Sequence, residues 1–435
     1  MPAVPFVVEL TRDLIRLDTT NPPGEEHLAV ELVERLLREA NIDCARYESE
    51  PGRPNLVARV KGRGEAPPLL LQGHVDVVTT VNQDWRHRPF GGDIIDGYLW
   101  GRGALDMKSG VAMMVGAVIR AQARGGAAGD LVLAVLADEE AGGVCGARWL
   151  VDAHPELFTG IRHAIGESGG VALHVGGRRF YPIMVSEKRG CQMLVTLRGP
   201  GGHGSVPAHG GAMAKLGNLL TRLDAGRLPV HITTPVRHQL EGMRDALDEP
   251  LRSRIGALLD PARTDAALAE LGALSRGLDA ALHNTVNATI VGGGLKINVI
   301  PSEVQVQLDG RLLPGFGPED MVRELREAVG SEPEIEVLLV GPAQPEVDLS
   351  QFELFASVLK EADSGCVPVP SLVTGGTDAR HFARLGIRTY GFLPLNIPPD
   401  FNSSPTIHAA DERVPVSALE FGAECVYEAA MRYRG

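Results

Sequence analysis

The chain has 435 residues, with 42 Lys and Arg against 55 Asp and Glu, a formal net charge of −13. Apolar residues make up 44% and charged residues 22%, which excludes disordered, collagenous and disulfide-scaffold classes. The length suits two or three structural units at roughly 150 residues each, and the acidic balance argues against a nucleic-acid partner, which needs a basic face.

Targeting and redox signals point the same way. The five cysteines, Cys44, Cys145, Cys191, Cys366 and Cys425, are scattered and never in C-x-x-C spacing, as expected of reduced thiols in a cytosolic protein. The N-terminal stretch MPAVPFVVELTRDLIRLDTT has neither a basic leader nor a long apolar run. The apolar stretch 111–119 is broken by Gly116 and falls short of the ~20 residues that a membrane span needs. The expectation is a cytoplasmic protein with no membrane partner.

In chain order, 25–40 carries the 3.6-residue period of an amphipathic helix after the loop Pro22-Pro23-Gly24. Residues 55–60 read as extended, and 69–72 as a buried strand ending at Gly73. Residues 109–123 read as a small-residue helix, 131–137 (LVLAVLA) as a buried strand, 141–151 as a helix, and 164–166 as the end of a further strand. Continuous apolar strands alternating with helices predict a mixed, mostly parallel α/β sheet sandwiched by helices. From about 188 the pattern becomes strand 192–198, helix 211–223, strands 285–291 and 298–313, helix 319–329 and strand 334–340. That βαββαβ order is ferredoxin-like. A helical, charge-mixed insert, 229–284, interrupts it. The α/β pattern resumes near 343, so a main domain of 1–187 and 343–435 is expected to be split by a second domain, 188–342.

Chemistry-bearing residues fall just past the strands, where α/β sheets gather ligands. His74 in Gly73-His74-Val75-Asp76 can ligate a metal while Asp76 orients its ring. Asp106 lies between the glycine-rich 101–103 and a helix start, a place that also suits an N-cap. Asp138-Glu139-Glu140 would repel one another unless something positive sits among them. Glu167 lies in Gly166-Glu-Ser-Gly-Gly170, and His408 in Ile407-His-Ala-Ala-Asp411-Glu412-Arg413. Each motif alone also fits a structural role. Together they set His, Asp, Glu, Glu and His at successive strand ends, a mixture that suits Zn²⁺, with Mn²⁺ or Co²⁺ as substitutes.

The ordered set G-H-x-D, Trp85…Pro89-Phe90, G-R-G-x-x-D-M-K, D-E-E, G-E-S-G-G and I-H-x-x-x-E-R resembles the aminoacylase/carboxypeptidase family of di-zinc metallohydrolases over nearly the whole chain. That family includes glutamate carboxypeptidase, succinyl-diaminopimelate desuccinylase and aminoacylase, and the carboxypeptidase S-like branch matches best at 166–170 and in the insert. The resemblance implies a zinc-exopeptidase-like fold with an inserted lid, and two zinc ions. His74, Asp106 and Glu167 would hold one ion, Asp106, Glu140 and His408 the other, with Asp106 shared. Glu139 would be the general base on the water shared by the two ions, with Asp76 supporting His74. A cis peptide is implied at Asp106–Met107.

From the inserted domain the resemblance implies His203 as oxyanion stabiliser, often across a homodimer formed through the lid. Relatives commonly carry serine where this chain has Gly204, a departure that loosens the loop. Asn298 and Arg311 would hold a substrate carboxylate, Arg311 through its planar fork. Gly375, Gly376 and Thr377 would meet the substrate through their backbone. The implied activity is hydrolysis of an amide bond beside a free carboxylate, in a peptide or an N-acyl amino acid. Two alternatives stand beside it. One is a serine hydrolase using Ser168 of the G-x-S-x-G match, with Asp378 and His408 downstream; the glycine-broken, β-like run after Ser168 argues against the helix that such an elbow needs. The other is a non-catalytic binding relative.

Overall fold

Continuous apolar runs become the inner strands of a nine-stranded sheet. A computed structural model describes residues 4–330, 333–343 and 345–435; the first three residues of the stretch read for a targeting signal lie outside them. Across the sheet the strands run Cys44–Glu48, Pro54–Val60, Leu131–Leu136, Leu69–His74, His163–Gly166, Arg388–Gly391, Arg178–Glu187 and Val367–Val373, with Leu173–Val175 paired beside Arg178–Glu187. The four central strands, from Leu131–Leu136 to Arg388–Gly391, are mutually parallel, and antiparallel pairings flank them.

Period-two alternation explains why the central strands are apolar throughout. Leu69, Leu71, Leu131, Leu133 and Ile165 face one core, under helices Val4–Arg16, Lys108–Ala123 and Val416–Arg432. Leu70, Val132, Ala134, Leu136 and Ala164 face the other, under helix Ala147–Ala153. Each such leucine is almost fully buried and contributes about 1.5–3 kcal/mol. The mixed sandwich expected from the sequence is the one observed. No helix among the described residues is long and apolar enough to cross a bilayer.

Residues 189–340 carry a second, antiparallel sheet in the order Thr285–Gly293, Glu303–Leu312, Arg189–Arg198, Glu334–Val340. Helices Ala212–Ala225 and Pro318–Val329 cover one face, giving the expected βαββαβ order. The expected strand 298–313 is broken. Val299–Ile300 pairs with Gly202–His203, and Glu303–Leu312 joins the sheet after Pro301, which has no N–H to donate to a ladder. The expected helix 141–151 begins only at Ala147. Gly142 and Gly143 hold the chain at φ +103° and +72°, outside helical space.

The 229–284 segment forms helices Thr234–Ala246, Leu251–Ala257, Thr264–Glu270 and Ser275–Leu282. They do not extend the second sheet. Val236, Leu240 and Met243 bury against Phe180, Val369 and Leu372 of the main sheet.

Candidate metal centre

Three neighbouring parallel strands bring the acidic and histidine motifs to one edge. His74 ends its strand opposite Leu136, and Leu71 pairs with Ile165, so the loops that carry His74, Glu140 and Glu167 leave side by side. His74 Nε2 lies 3.2 Å from Asp106 Oδ1 and 3.6 Å from Glu167 Oε2. The other Asp106 oxygen, Oδ2, lies 3.1 Å from His408 Nε2, which is 3.2 Å from Glu140 Oε2. Asp106 therefore faces two imidazoles with its two oxygens. Within each trio, His74–Asp106–Glu167 and Asp106–Glu140–His408, one ligand atom per residue lies within 4.8 Å of the others. The Asp106–Met107 peptide is cis.

Asp76 serves this edge mostly through its backbone neighbours. The His74 Nδ1 hydrogen bond, 3.0 Å, goes to the Asp76 carbonyl, with the carboxylate at 3.5 Å. Donation from Nδ1 leaves Nε2 with its lone pair toward the cluster. The Asp76 carboxylate accepts the backbone N–H groups of Glu139 and Glu140, both at 3.1 Å, and Asn21 Nδ2 at 2.9 Å. Asp138, at φ +67°, turns away from the cluster to Arg53, Asn21 and the Cys145 N–H.

The electrostatics call for positive charge. Burial first, then the Glu167 charge, pushes Glu139 up to about 10. Arg380 Nη2 lies 3.8 Å from Glu139 Oε1. Burial likewise pushes Asp378, next to that arginine, up to about 8, and lowers His381 to about 4. His408 is raised to about 10 by its hydrogen bonds to Asp106 and then Glu140. Among the described residues, buried Glu140 Oε1 and both Asp378 oxygens have no hydrogen-bond partner. Two imidazole nitrogens and three carboxylates around an unmatched buried oxygen fit a pair of divalent cations, and Zn²⁺, Co²⁺ or Mn²⁺ suits that donor set.

The remaining sequence candidates lie elsewhere or face inward. His203 is exposed and bonds Ser205 Oγ at 2.7 Å; Asn298 lies beside it, its carbonyl accepting the Gly204 N–H at 2.8 Å. A Cβ at Gly204 would stand 3.2 Å from the Asn298 backbone, a close approach that the glycine eases. Arg311 clasps Asp309 at 2.9 and 3.0 Å. Among the described residues none of these three bonds the His74–His408 cluster. Thr377 is buried and donates its N–H and hydroxyl to Glu187, whereas a Cβ at Gly375 would meet open space. Ser168 is followed by strands, not by a helix, and His408 is turned to Asp106 and Glu140. The sequence motifs gave no role to Asn21, Arg380 or His381, named Asp378 only as the downstream acid of the serine-hydrolase alternative, and contained Arg102 and Glu412 without a role of their own.

Comparison with known proteins places this geometry in context. A family model described as peptidase family M20/M25/M40 matches residues 70–432. The chain is 30% identical over 429 residues to succinyl-diaminopimelate desuccinylase of Cereibacter sphaeroides, covering 95% of each chain. It is 25% identical over 391 residues to a probable carboxypeptidase S-like protein of Dictyostelium discoideum, covering 83% of this chain and 71% of the relative. Its fold is similar to that of the M20 family metallo-carboxypeptidase Sso-CP2 of Sulfolobus solfataricus, with a TM-score of 0.68 at 17% identity over 98% of both chains. The chain belongs to peptidase family M20/M25/M40.

Proposed function

We propose that the protein hydrolyses an amide bond adjacent to a free carboxylate, in a small peptide or an N-acyl amino acid. The observation that carries this reading is Asp106 shared between His74 and His408, with Glu139 in neither ligand trio. Two divalent cations, zinc with cobalt or manganese as substitutes, held by His74, Asp106 and Glu167 and by Asp106, Glu140 and His408, would polarise the scissile carbonyl and make water acidic. Glu139 accepts the proton of the attacking water on its carboxylate and passes it to the leaving nitrogen. Asp76 keeps Glu139 and Glu140 in register by accepting both their backbone N–H groups. The Gly375-Gly376 backbone would meet the substrate, with the adjoining Thr377 anchored to Glu187. The names of the relatives, a desuccinylase and a carboxypeptidase S-like protein, support a substrate of this class.

In the same reading, 1–187 and 343–435 form the catalytic domain, 188–342 the lid and dimerisation domain, and 229–284 its helical insert. Asn298 and Arg311 hold the substrate carboxylate, Arg311 exchanging Asp309 for it, and His203 stabilises the oxyanion. Ile290, Val291, Leu295 and Ile297 stand exposed on and beside the edge strand Thr285–Gly293. A homodimer formed through that edge would cover them and carry His203 to a neighbouring cleft. The test is a panel of dipeptides and N-acyl amino acids, read by released amine. Chelation should abolish release, and zinc or cobalt should restore it. Full activity in chelator, with fluorophosphonate labelling of Ser168, would overturn the reading.

A further inference from the structure

The two half-sites are built differently. His74 and Glu167 stand at the ends of adjacent hydrogen-bonded strands, and the His74 ring is buried. His408 comes from irregular chain between the short turn Ser404–Thr406 and the strand Arg413–Pro415, at φ +60°. Its ring is 50% exposed. Strand pairing therefore fixes these two ligands, and something else must hold His408.

A chain of hydrogen bonds reaches it. Gln83 Nε2 donates to the His408 carbonyl at 3.1 Å. Gln83 Oε1 accepts from Arg102 Nη2 at 2.9 Å and from Trp85 Nε1 at 3.1 Å. Arg102, itself buried, donates through Nη1 to Glu412 Oε2 at 2.6 Å. Buried Glu412 also accepts the backbone N–H groups of Gly103, Leu105 and Asp106, at 3.1, 2.7 and 3.1 Å. One end of the chain holds the backbone of Asp106, and the other holds that of His408. Asp106 is shared by both trios and His408 belongs to the outer one alone, and neither end touches His74 or Glu167. None of the three side chains takes part in the proposed chemistry.

We propose that Gln83, held by Arg102 and through it by Glu412, is a positioning residue for the outer half-site and sets how tightly that half-site holds its cation. The proposal rests on the two-cation reading given above. Partners that orient metal ligands are worth about 10–100-fold in affinity. For Gln83 that effect should fall on one equivalent only, because Gln83 bonds the carbonyl of His408, which belongs to the outer trio alone.

The experiment titrates the full chain with cobalt(II), following visible absorption, for wild type, Gln83→Leu and Gln83→Glu. Gln83 is only half-buried, so both variants should fold. Gln83→Glu keeps an acceptor for Arg102 and Trp85 but loses the donor to His408. Wild type should bind two equivalents. In both variants the weaker equivalent should loosen by about tenfold or more while the tighter one is unchanged. Turnover at limiting cobalt should fall and recover in excess cobalt. Unchanged affinities in Gln83→Leu, equal loosening of both equivalents, or a wild-type-like Gln83→Glu would each overturn the proposal while leaving the two-cation reading intact. A wild-type isotherm with fewer than two equivalents would overturn that reading itself, and the proposal with it.

Discussion

Three adjacent carboxylates, Asp138, Glu139 and Glu140, are sorted by backbone geometry into three environments. Asp138 goes to Arg53 and Asn21, Glu140 to His408, and Glu139 to the space before Arg380. The Asp76 carboxylate holds the last two in place through their N–H groups. Asp76→Asn keeps one acceptor oxygen but turns an amide against a backbone N–H. It should lower metal affinity or turnover by about 10–100-fold, measured by metal content and kcat. Arg311→Ala should raise KM strongly for free-acid substrates and little for their amides; equal effects on both would remove Arg311 from the carboxylate site. His74, Glu140 and Glu167 were legible because each stands in a short motif just past a strand, whereas Asp106, before a helix, and His408, in irregular chain, were marked only by their motifs. Asp76's grip on Glu139 was not legible, because its partners lie 63 and 64 residues away. For the same reason no local pattern marks Asn21 or Gln83.

At the scale of elements, hydrophobic period located most strands and helices, and glycine or proline chemistry moved their ends. Gly142 and Gly143 delay the helix after Glu140 to Ala147, and the turn so formed brings Gly143 against Asp378. A Cβ at Gly143 would stand 2.9 Å from Asp378 Oδ1, at a φ that side chains rarely adopt. Pro301 divides the expected 298–313 strand and leaves Val299–Ile300 to pair with the His203 strand. The insert was legible as helical but not as a layer on the main sheet, since that packing joins residues far apart in sequence. Leu240, fully buried against that sheet, gives the check. Leu240→Ala should cost about 2–5 kcal/mol in urea unfolding, with far-UV circular dichroism close to wild type.

Across the whole molecule, the two sheets meet at Glu187 and Lys188. Glu187 accepts both Thr377 donors, and Lys188 donates to the Ala280 and His283 carbonyls and to Thr285 Oγ1. Burial first, then Arg311, brings Lys188 down to about 7 from an ordinary 10.5. Between those values the unfolded chain binds the extra proton, so the lysine's contribution to stability grows as pH rises through that window. The stability difference between wild type and Lys188→Met should therefore be smallest near pH 7 and larger near pH 9.5. A constant or opposite difference would contradict the assignment. The βαββαβ order was readable from the spacing of elements, whereas the junction that ties it to the glycine loop was not, because it depends on single buried side chains. In the proposed function Glu139 acts on a proton while other residues hold the cations. Metal content and turnover of zinc-loaded Glu139→Gln, measured on one preparation, test it most directly. The account predicts two equivalents of zinc with turnover reduced by at least about 10²-fold; wild-type turnover, or loss of both ions together with activity, would contradict it.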